Sequence, residues 1–321
     1  MQPLLYKTKQ FFFVLIKLSL VVGSCYFIYY KITNNDALKF PDFIDFLKEK
    51  RVLSLKNILF LCFLTLLNWF FEIYKWKVLV RPIKKISFKN ALEQNLGALT
   101  ASLFTPNRIG EYGAKAIYYA ANYRKRIMLI KLFGNLLQMS ITVVLGIIGL
   151  LFFITKYKLN INQFKLGGLT IIILVILVLI FISIRKSTIS IKGFTLEKLK
   201  RFTHNYPKTN IISASVFSLV RYLVFSFQFY ILLLLFGTDL NYLNAMMIIT
   251  SMYLLASVIP SIFIFDVIIR GSVAVYLFSF ASVNQLTVLS IITIMWLLNF
   301  VIPSLIGSYY VLTFKLPQTE Q

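Results

Sequence analysis

The sequence predicts an all-α polytopic membrane protein, and three observations carry that expectation. Of 321 residues, 59% are hydrophobic and 14% charged, with a mean hydropathy of +0.79, which excludes an ordinary water-soluble domain. Apolar runs of about 20 residues, the length a bilayer requires, recur along the chain. Two further apolar stretches are broken by Pro and by charges, the pattern of helices interrupted at membrane depth. The expected architecture is six full spans plus two broken re-entrant helical hairpins in an inverted repeat, or eight spans if the hairpins cross.

Phe11 to Tyr30 reads as a first, retained span, because no small-residue cleavage site precedes it. The mixed-charge segment Ile32 to Ser54 is expected to hold an amphipathic helix lying on the membrane surface. Full spans follow at Leu55 to Tyr74, Ile127 to Ile154, Gly167 to Ile184, Ile211 to Phe236 and Leu286 to Phe314. The organisation is therefore an N-terminal part (1–54), a first helix–hairpin–helix unit (55–154), a linking span with a basic loop (155–210), a second unit (211–314) and a tail (315–321).

The net charge of +23 suggests nucleic acid in a soluble protein. In a membrane protein it reads instead as cytoplasmic loops rich in Lys and Arg that meet the anionic leaflet, with no nucleic-acid partner. With the N-terminus inside, the cytoplasmic parts collect twenty bases against two acids, and the outer parts eight against five. That bias places both termini in the cytoplasm of a multi-pass protein of the cell (inner) membrane.

The first broken stretch, Asn90 to Tyr123, has basic flanks on both sides. It is expected to enter and leave from the cytoplasm, turning at Thr105-Pro106-Asn107. The second, Tyr242 to Phe280, is broken at Pro260 and enters from the outside, so the two units run in opposite directions. Pro106, Glu111 and Lys115 in one answer Pro260, Asp266 and Arg270 in the other. In each, an acid four residues before a base places both on one helical face.

Four bases, Arg108, Lys115, Arg221 and Arg270, sit where no aqueous loop can be drawn. A charged side chain at the bilayer centre costs about 2.5–3.5 kcal/mol on insertion scales, so they need partners. Glu111 and Asp266 are the deep acids. Glu72, beside Lys75 and Lys77, reads as an interfacial ion pair. Either these charges pair off to hold the hairpins to the bundle, or they line a water-accessible cavity with surplus positive charge, suited to an anionic headgroup. Arg221 has no acid one turn away, so its partner must come from another helix, a bound anion or a hairpin acid such as Asp266, with a headgroup phosphate favoured.

Asn107 to Gly113 is expected to open a half-helix with free N–H groups, with Gly110 and Gly113 allowing close backbone approach. The stripe Asn135, Gln138, Thr142, Gly146 and Gly149 reads as helix packing. His204 reads as a solvated loop residue, and Cys25 and Cys62 as small buried hydrophobes. The chain carries no nucleophile triad, metal-ligand set or phosphate loop. No catalytic residue, metal or cofactor, and no enzymatic activity, is therefore expected.

The residues TPNRIGEYGAKAIYY, with Trp76-Lys77 before them and GNLLQMSITVVLGIIG after them, resemble the flippase-like membrane region of the lysylphosphatidylglycerol synthase family. The likeness runs from about Leu55 to Phe314, and its core is Pro106, Arg108, Gly110 and Glu111. It implies a module that moves a lipid between leaflets, here a membrane phospholipid or a polyprenyl-phosphate lipid. In the second motif Pro260 and Arg270 match, whereas the family's Gly run is replaced and Gly271 stands where its Glu would be. The sequence reaches Gln321 without the soluble aminoacyl-transferase domain of bifunctional members, so the resemblance implies a stand-alone member rather than a synthase. The alternative expectation is a non-transporting lipid-binding or assembly subunit for a separately encoded envelope enzyme.

Overall fold

In a computed structural model of the chain, the described residues are 15–19, 21–23, 26, 29–30, 40–49, 52, 54–103, 105, 108–158, 190–191, 194–195, 206–258 and 266–316. They are almost wholly helical. In order come α1 (Phe40–Glu49), α2 (Leu55–Val80), α3 (Phe88–Ala101), α4 (Gly110–Ala116) and α5 (Ala121–Lys156). A two-residue antiparallel pairing of Ser190–Ile191 with Phe194–Thr195 follows. Then come α6 (Lys208–Leu235), α7 (Tyr242–Val258), α8 (Asp266–Ser279) and α9 (Gln285–Thr313), the last with a π-helical turn at Leu297–Val301. Among the described residues α2, α5, α6 and α9 are long and apolar enough to cross a membrane. They match four of the six expected spans. The expected span at Gly167 to Ile184, and His204, lie outside the described residues, and Phe11 to Tyr30 is described in part, as helix.

The helix ends follow local chemistry. Ser54 and Ser87 open α2 and α3 by accepting N–H bonds from Asn57 and Asn90, and Asn284 accepts from Leu286 ahead of α9. Pro82 stops α2 just after Arg81. At the end of α6, Gly237 takes φ +77. Its N–H donates to Leu234 and that of Thr238 to Leu233, a left-handed cap that only glycine enters without strain.

The helix pairings repeat. Gln228 meets Leu61 and Thr65, Arg221 meets Asn68 and Glu72, and Asn210 meets Val78, so α2 and α6 run antiparallel. The first hairpin arm, α3, packs on the late half of α9, where Thr100 Oγ1 donates to Ser304 O at 2.7 Å. Its counterpart α7 packs on α5, the last helix of the other unit. Glycines make both crossings close. A Cβ on Gly307 would lie 2.2 Å from Leu96 O, and one on Gly149 would lie 2.0 Å from Thr250 Oγ1. Each hairpin arm is too short to cross about 30 Å of hydrocarbon: α3 with 14 residues spans about 21 Å, α7 with 17 about 26 Å, and α8 with 14 about 21 Å.

The expected amphipathic helix of the segment Ile32 to Ser54 is present as α1. It packs its apolar side on the protein: Phe43 and Leu47, with Val52 just after the helix, join the core, and Phe46 stacks on Phe236 with centroids 5.4 Å apart.

The buried apolar residues form two clusters. One joins α1, the late half of α6, α7, α8 and the early half of α9, through residues such as Phe229, Leu232, Ile248, Phe278 and Ile291. The other, Ile73, Trp76, Leu79, Val80, Ala116, Tyr119, Ile127 and Ile130, joins α2, α4 and α5. Thr65, Asn68 and Glu72 on α2 fall between Leu61 of the first cluster and Ile73 of the second, so a polar layer separates them.

Candidate functional site

That layer is built from regularly spaced residues on three helices. Thr65, Asn68, Glu72 and Lys75 recur every three or four positions along α2, which puts them on one face. Lys131, Asn135 and Gln138 do the same on α5, and Arg221 and Gln228 on α6. The first hairpin supplies Gln94 and Asn95 from α3 and Glu111 and Lys115 from α4. Counting from the helix ends at Val80, Ala121 and Lys208, Glu72 lies about 12 Å, Lys131 about 15 Å and Arg221 about 20 Å along the axis.

Two carboxylates organise four bases. Glu72 Oε2 accepts Lys75 Nζ at 2.5 Å and an Arg221 amino group at 2.8 Å, while Oε1 lies 4.0 Å from Lys131 Nζ. Glu111 Oε1 accepts Lys131 at 2.6 Å and Lys115 at 3.3 Å, the latter with the spacing that the sequence motif implies. Lys131 therefore bridges the two acids. Lys115 is fully buried; it donates to Asn95 Oδ1 at 2.7 Å, and its ammonium lies 4.2 Å from the centre of the Trp76 ring. Trp76 Nε1 and Tyr119 OH both donate to Gln94 Oε1 at 2.7 Å.

A chain of amides continues from Arg221. Its Nε donates to Asn68 Oδ1 at 3.1 Å, Asn68 donates to Asn299 Oδ1 at 2.9 Å, and Asn299 donates to Gln228 Oε1 at 2.9 Å. Asn299 belongs to the π turn of α9, where the extra residue also leaves its carbonyl free to accept Trp69 Nε1 at 3.2 Å. The next residue in that turn, Phe300, lies under Arg108, with 5.3 Å between guanidinium carbon and ring centre. Arg108 stands in the hairpin turn with φ +57, a conformation that non-glycine residues rarely adopt. Its Nε is buried with no hydrogen-bond partner among the described residues.

Several expectations change. Arg221 takes Glu72 as partner, because α2 and α6 lie side by side and bring them to 2.8 Å. Glu72 and Lys75 pair as expected, and inside the protein rather than on its surface: their side chains are 9% and 4% exposed, since α2 runs six residues past Tyr74 and places both within the bundle. Of the two arrangements expected for the deep charges, the described residues show pairing, with the charges closed on one another; Arg221, 29% exposed, is the most open of the six. Gly110 is closely approached, with its N–H donating to Thr105 Oγ1 at 2.8 Å and no room for a Cβ, whereas a Cβ on Gly113 would meet nothing within 4 Å. Helix α4 is seven residues long, and Thr105 takes its first N–H, so it offers no separate anion site. Pro106, Asn107 and Pro260 lie outside the described residues, as do the side chains of Asp266 and Arg270, although both of the latter are on α8.

Sequence reasoning missed Lys75 and Lys131 as members of the site. Asn135 and Gln138, read as packing, donate to Tyr112 OH and to Ser218 O, and so tie α5 to the hairpin and to α6. Among the described residues no group of His, Cys, Asp and Glu could hold a metal.

Fold and site together define a multi-pass helical membrane protein whose first hairpin carries an acid–base pair into a buried ionic layer. The chain matches the model of the lysylphosphatidylglycerol synthase transmembrane region over residues 14–307 and belongs to that family. No curated protein and no solved structure matches it.

Proposed function

We propose that the protein is a lipid flippase, moving an anionic phospholipid or polyprenyl-phosphate lipid between leaflets, with the headgroup received at the ionic layer and the acyl chains left in the bilayer. Family membership supports the lipid-related role. The observation that carries the site assignment is Arg108: a base held in a left-handed turn over Phe300, its Nε unpartnered among the described residues, three residues before Glu111. Strained backbone persists where surrounding structure enforces it, and it concentrates at ligand sites. Arg221, the most open member of the cluster, is the second headgroup contact. Glu111, Lys115 and Lys131 set the hairpin against α5. This reading includes residence in the cell inner membrane with both termini cytoplasmic, and no catalytic step.

A lipid-scrambling assay in proteoliposomes tests it. Wild-type protein should exchange a fluorescent anionic lipid between leaflets, and Arg108→Gln with Arg221→Gln together should lower the rate by tenfold or more. Unchanged rates in that double variant remove the site assignment.

A second reading has its own support. The six charges are mutually paired and mostly buried, as a static scaffold requires, which favours a non-transporting lipid-binding or assembly subunit of a separately encoded envelope enzyme. It predicts no scrambling by wild-type protein and co-purification with such an enzyme.

A further inference from the structure

We propose that the ligand of this layer is a phosphate dianion carried by a lipid, a phosphomonoester or diphosphate headgroup, rather than the monoanionic phosphodiester of an ordinary phospholipid. The inference rests on the headgroup reading above and narrows it. Lys75, Lys115, Lys131 and Arg221 gather on Glu72 and Glu111, so four bases face two acids. Arg108, in the turn that leads into Glu111, is a fifth base. Among the described residues of this layer the bases therefore outnumber the acids by three. Asp266 and Arg270 carry one charge of each sign and leave that surplus unchanged.

Repulsion between like charges grows as the dielectric falls, and this layer lies between two apolar clusters in a membrane bundle. A phosphodiester neutralises one of the three surplus charges; a monoester or diphosphate neutralises two. Geometry points the same way. Arg221 spends Nε on Asn68 and one amino group on Glu72, leaving its other amino group for a ligand. Arg108 has an unpartnered Nε. The two arginines are linked through consecutive residues of the π turn, Phe300 under one and Asn299 joined by Asn68 to the other. Guanidinium forks match phosphate oxygens in pairs, and a monoester offers three free oxygens to a diester's two.

The experiment titrates the full-length protein in phosphatidylcholine nanodiscs, following the fluorescence of Trp69 and Trp76, which contact the layer. The probes are dioctanoyl phosphatidic acid, its methyl ester dioctanoyl phosphatidylmethanol, and inorganic phosphate. At about pH 8 phosphatidic acid is a dianion, since the second phosphate ionisation lies near 6. It should bind at least about tenfold tighter than the methyl ester, the ratio given by about 1.4 kcal/mol. Arg108→Gln should keep the wild-type melting temperature and shrink that ratio. Equal affinity for the two lipids overturns the dianion assignment and leaves the headgroup reading standing; binding of neither overturns both. Inorganic phosphate bound as tightly as phosphatidic acid overturns the lipid source. A full ratio retained in Arg108→Gln overturns the charge argument.

Discussion

Replacing Glu72 by Gln tests whether the ionic layer holds the bundle together. Glutamine keeps the size and the hydrogen-bonding ends but removes the charge that Lys75, Arg221 and Lys131 share at 2.5, 2.8 and 4.0 Å. Removing one partner of a buried pair costs about 3–5 kcal/mol, because the other charge is stranded. Lys75, 4% exposed, incurs that cost in full. Arg221 keeps water on a 29% exposed side chain, so its share falls toward the roughly 0–1 kcal/mol of a surface pair. Lys131 keeps Glu111 at 2.6 Å and adds little. The expected loss is therefore about 3–5 kcal/mol, nearly all of it from Lys75. Thermal inactivation of detergent-solubilised protein, read as the rate of loss of the monodisperse species, measures it, since unfolding of such proteins is often irreversible. Lys77→Gln is the control; its ammonium lies 5.4 Å from the Tyr74 ring near the helix end, and the change should stay within about 0.5 kcal/mol. Adding Lys75→Gln to Glu72→Gln should recover most of the loss, because the stranded charge is gone. A Glu72→Gln protein as durable as wild type, or a double variant worse than either single, refutes the reasoning.

Gly307→Ala must part α9 from α3, because its Cβ would sit 2.2 Å from Leu96 O; a loss of about 1–3 kcal/mol is expected in the same inactivation assay. Gly113→Ala, with open space around the new methyl on α4, should instead gain up to about 1 kcal/mol. Arg108→Gly relieves a left-handed residue that costs about 1–2 kcal/mol, so stability should hold or rise while lipid scrambling falls, a split that a purely structural arginine does not give. Asn299→Leu strands the Asn68 amide and the Gln228 carbonyl oxygen, at roughly 1–3 kcal/mol for each group left unpaired.

The four long helices and the two broken stretches between them were legible because twenty-residue apolar runs and a mid-segment Pro are direct consequences of bilayer thickness and backbone hydrogen bonding. The hairpin motif was legible too: Glu111 and Lys115 pair as their spacing requires. Lys75 and Lys131 were not, because charge counting assigns any base near a span end to water. Helix α2 extends six residues beyond its apolar run, which draws Lys75 into the bundle, and α5 begins six residues ahead of its run, which sets Lys131 ten residues inside the helix rather than at its end. The signal was present as polar stripes of helical period, Thr65-Asn68-Glu72-Lys75, which runs across the supposed end of its span, and Lys131-Asn135-Gln138, which lies within its span. The Glu72–Arg221 pair is a tertiary fact. It depends on α2 and α6 lying antiparallel, and nothing in either helix alone names the other.

The helix pairings repeat, and among the described residues the polar side chains of the two arms differ. In the first unit α3 buries Gln94, Asn95 and Thr100, and all three serve groups on other elements: Trp76 and Tyr119, Lys115, and Ser304 O. In the second unit the described residues of α7 are buried through Ala245, Ile248, Ile249 and Met252, while Thr250 and Ser251 turn their hydroxyls back on the carbonyls of Met246 and Met247. A hydroxyl bonded within its own turn satisfies itself and recruits no partner. Among the described residues α3 is therefore the arm whose side chains reach other elements, and α7 packs as an apolar helix. Asn95→Leu should accordingly weaken both stability and lipid exchange, since Lys115 loses its 2.7 Å acceptor and keeps Glu111 at 3.3 Å and the Trp76 face. Thr250→Val should leave lipid exchange at the wild-type rate, because its hydroxyl serves only the backbone of its own turn. Equal losses of exchange in the two variants would place the working chemistry on both arms and contradict this division.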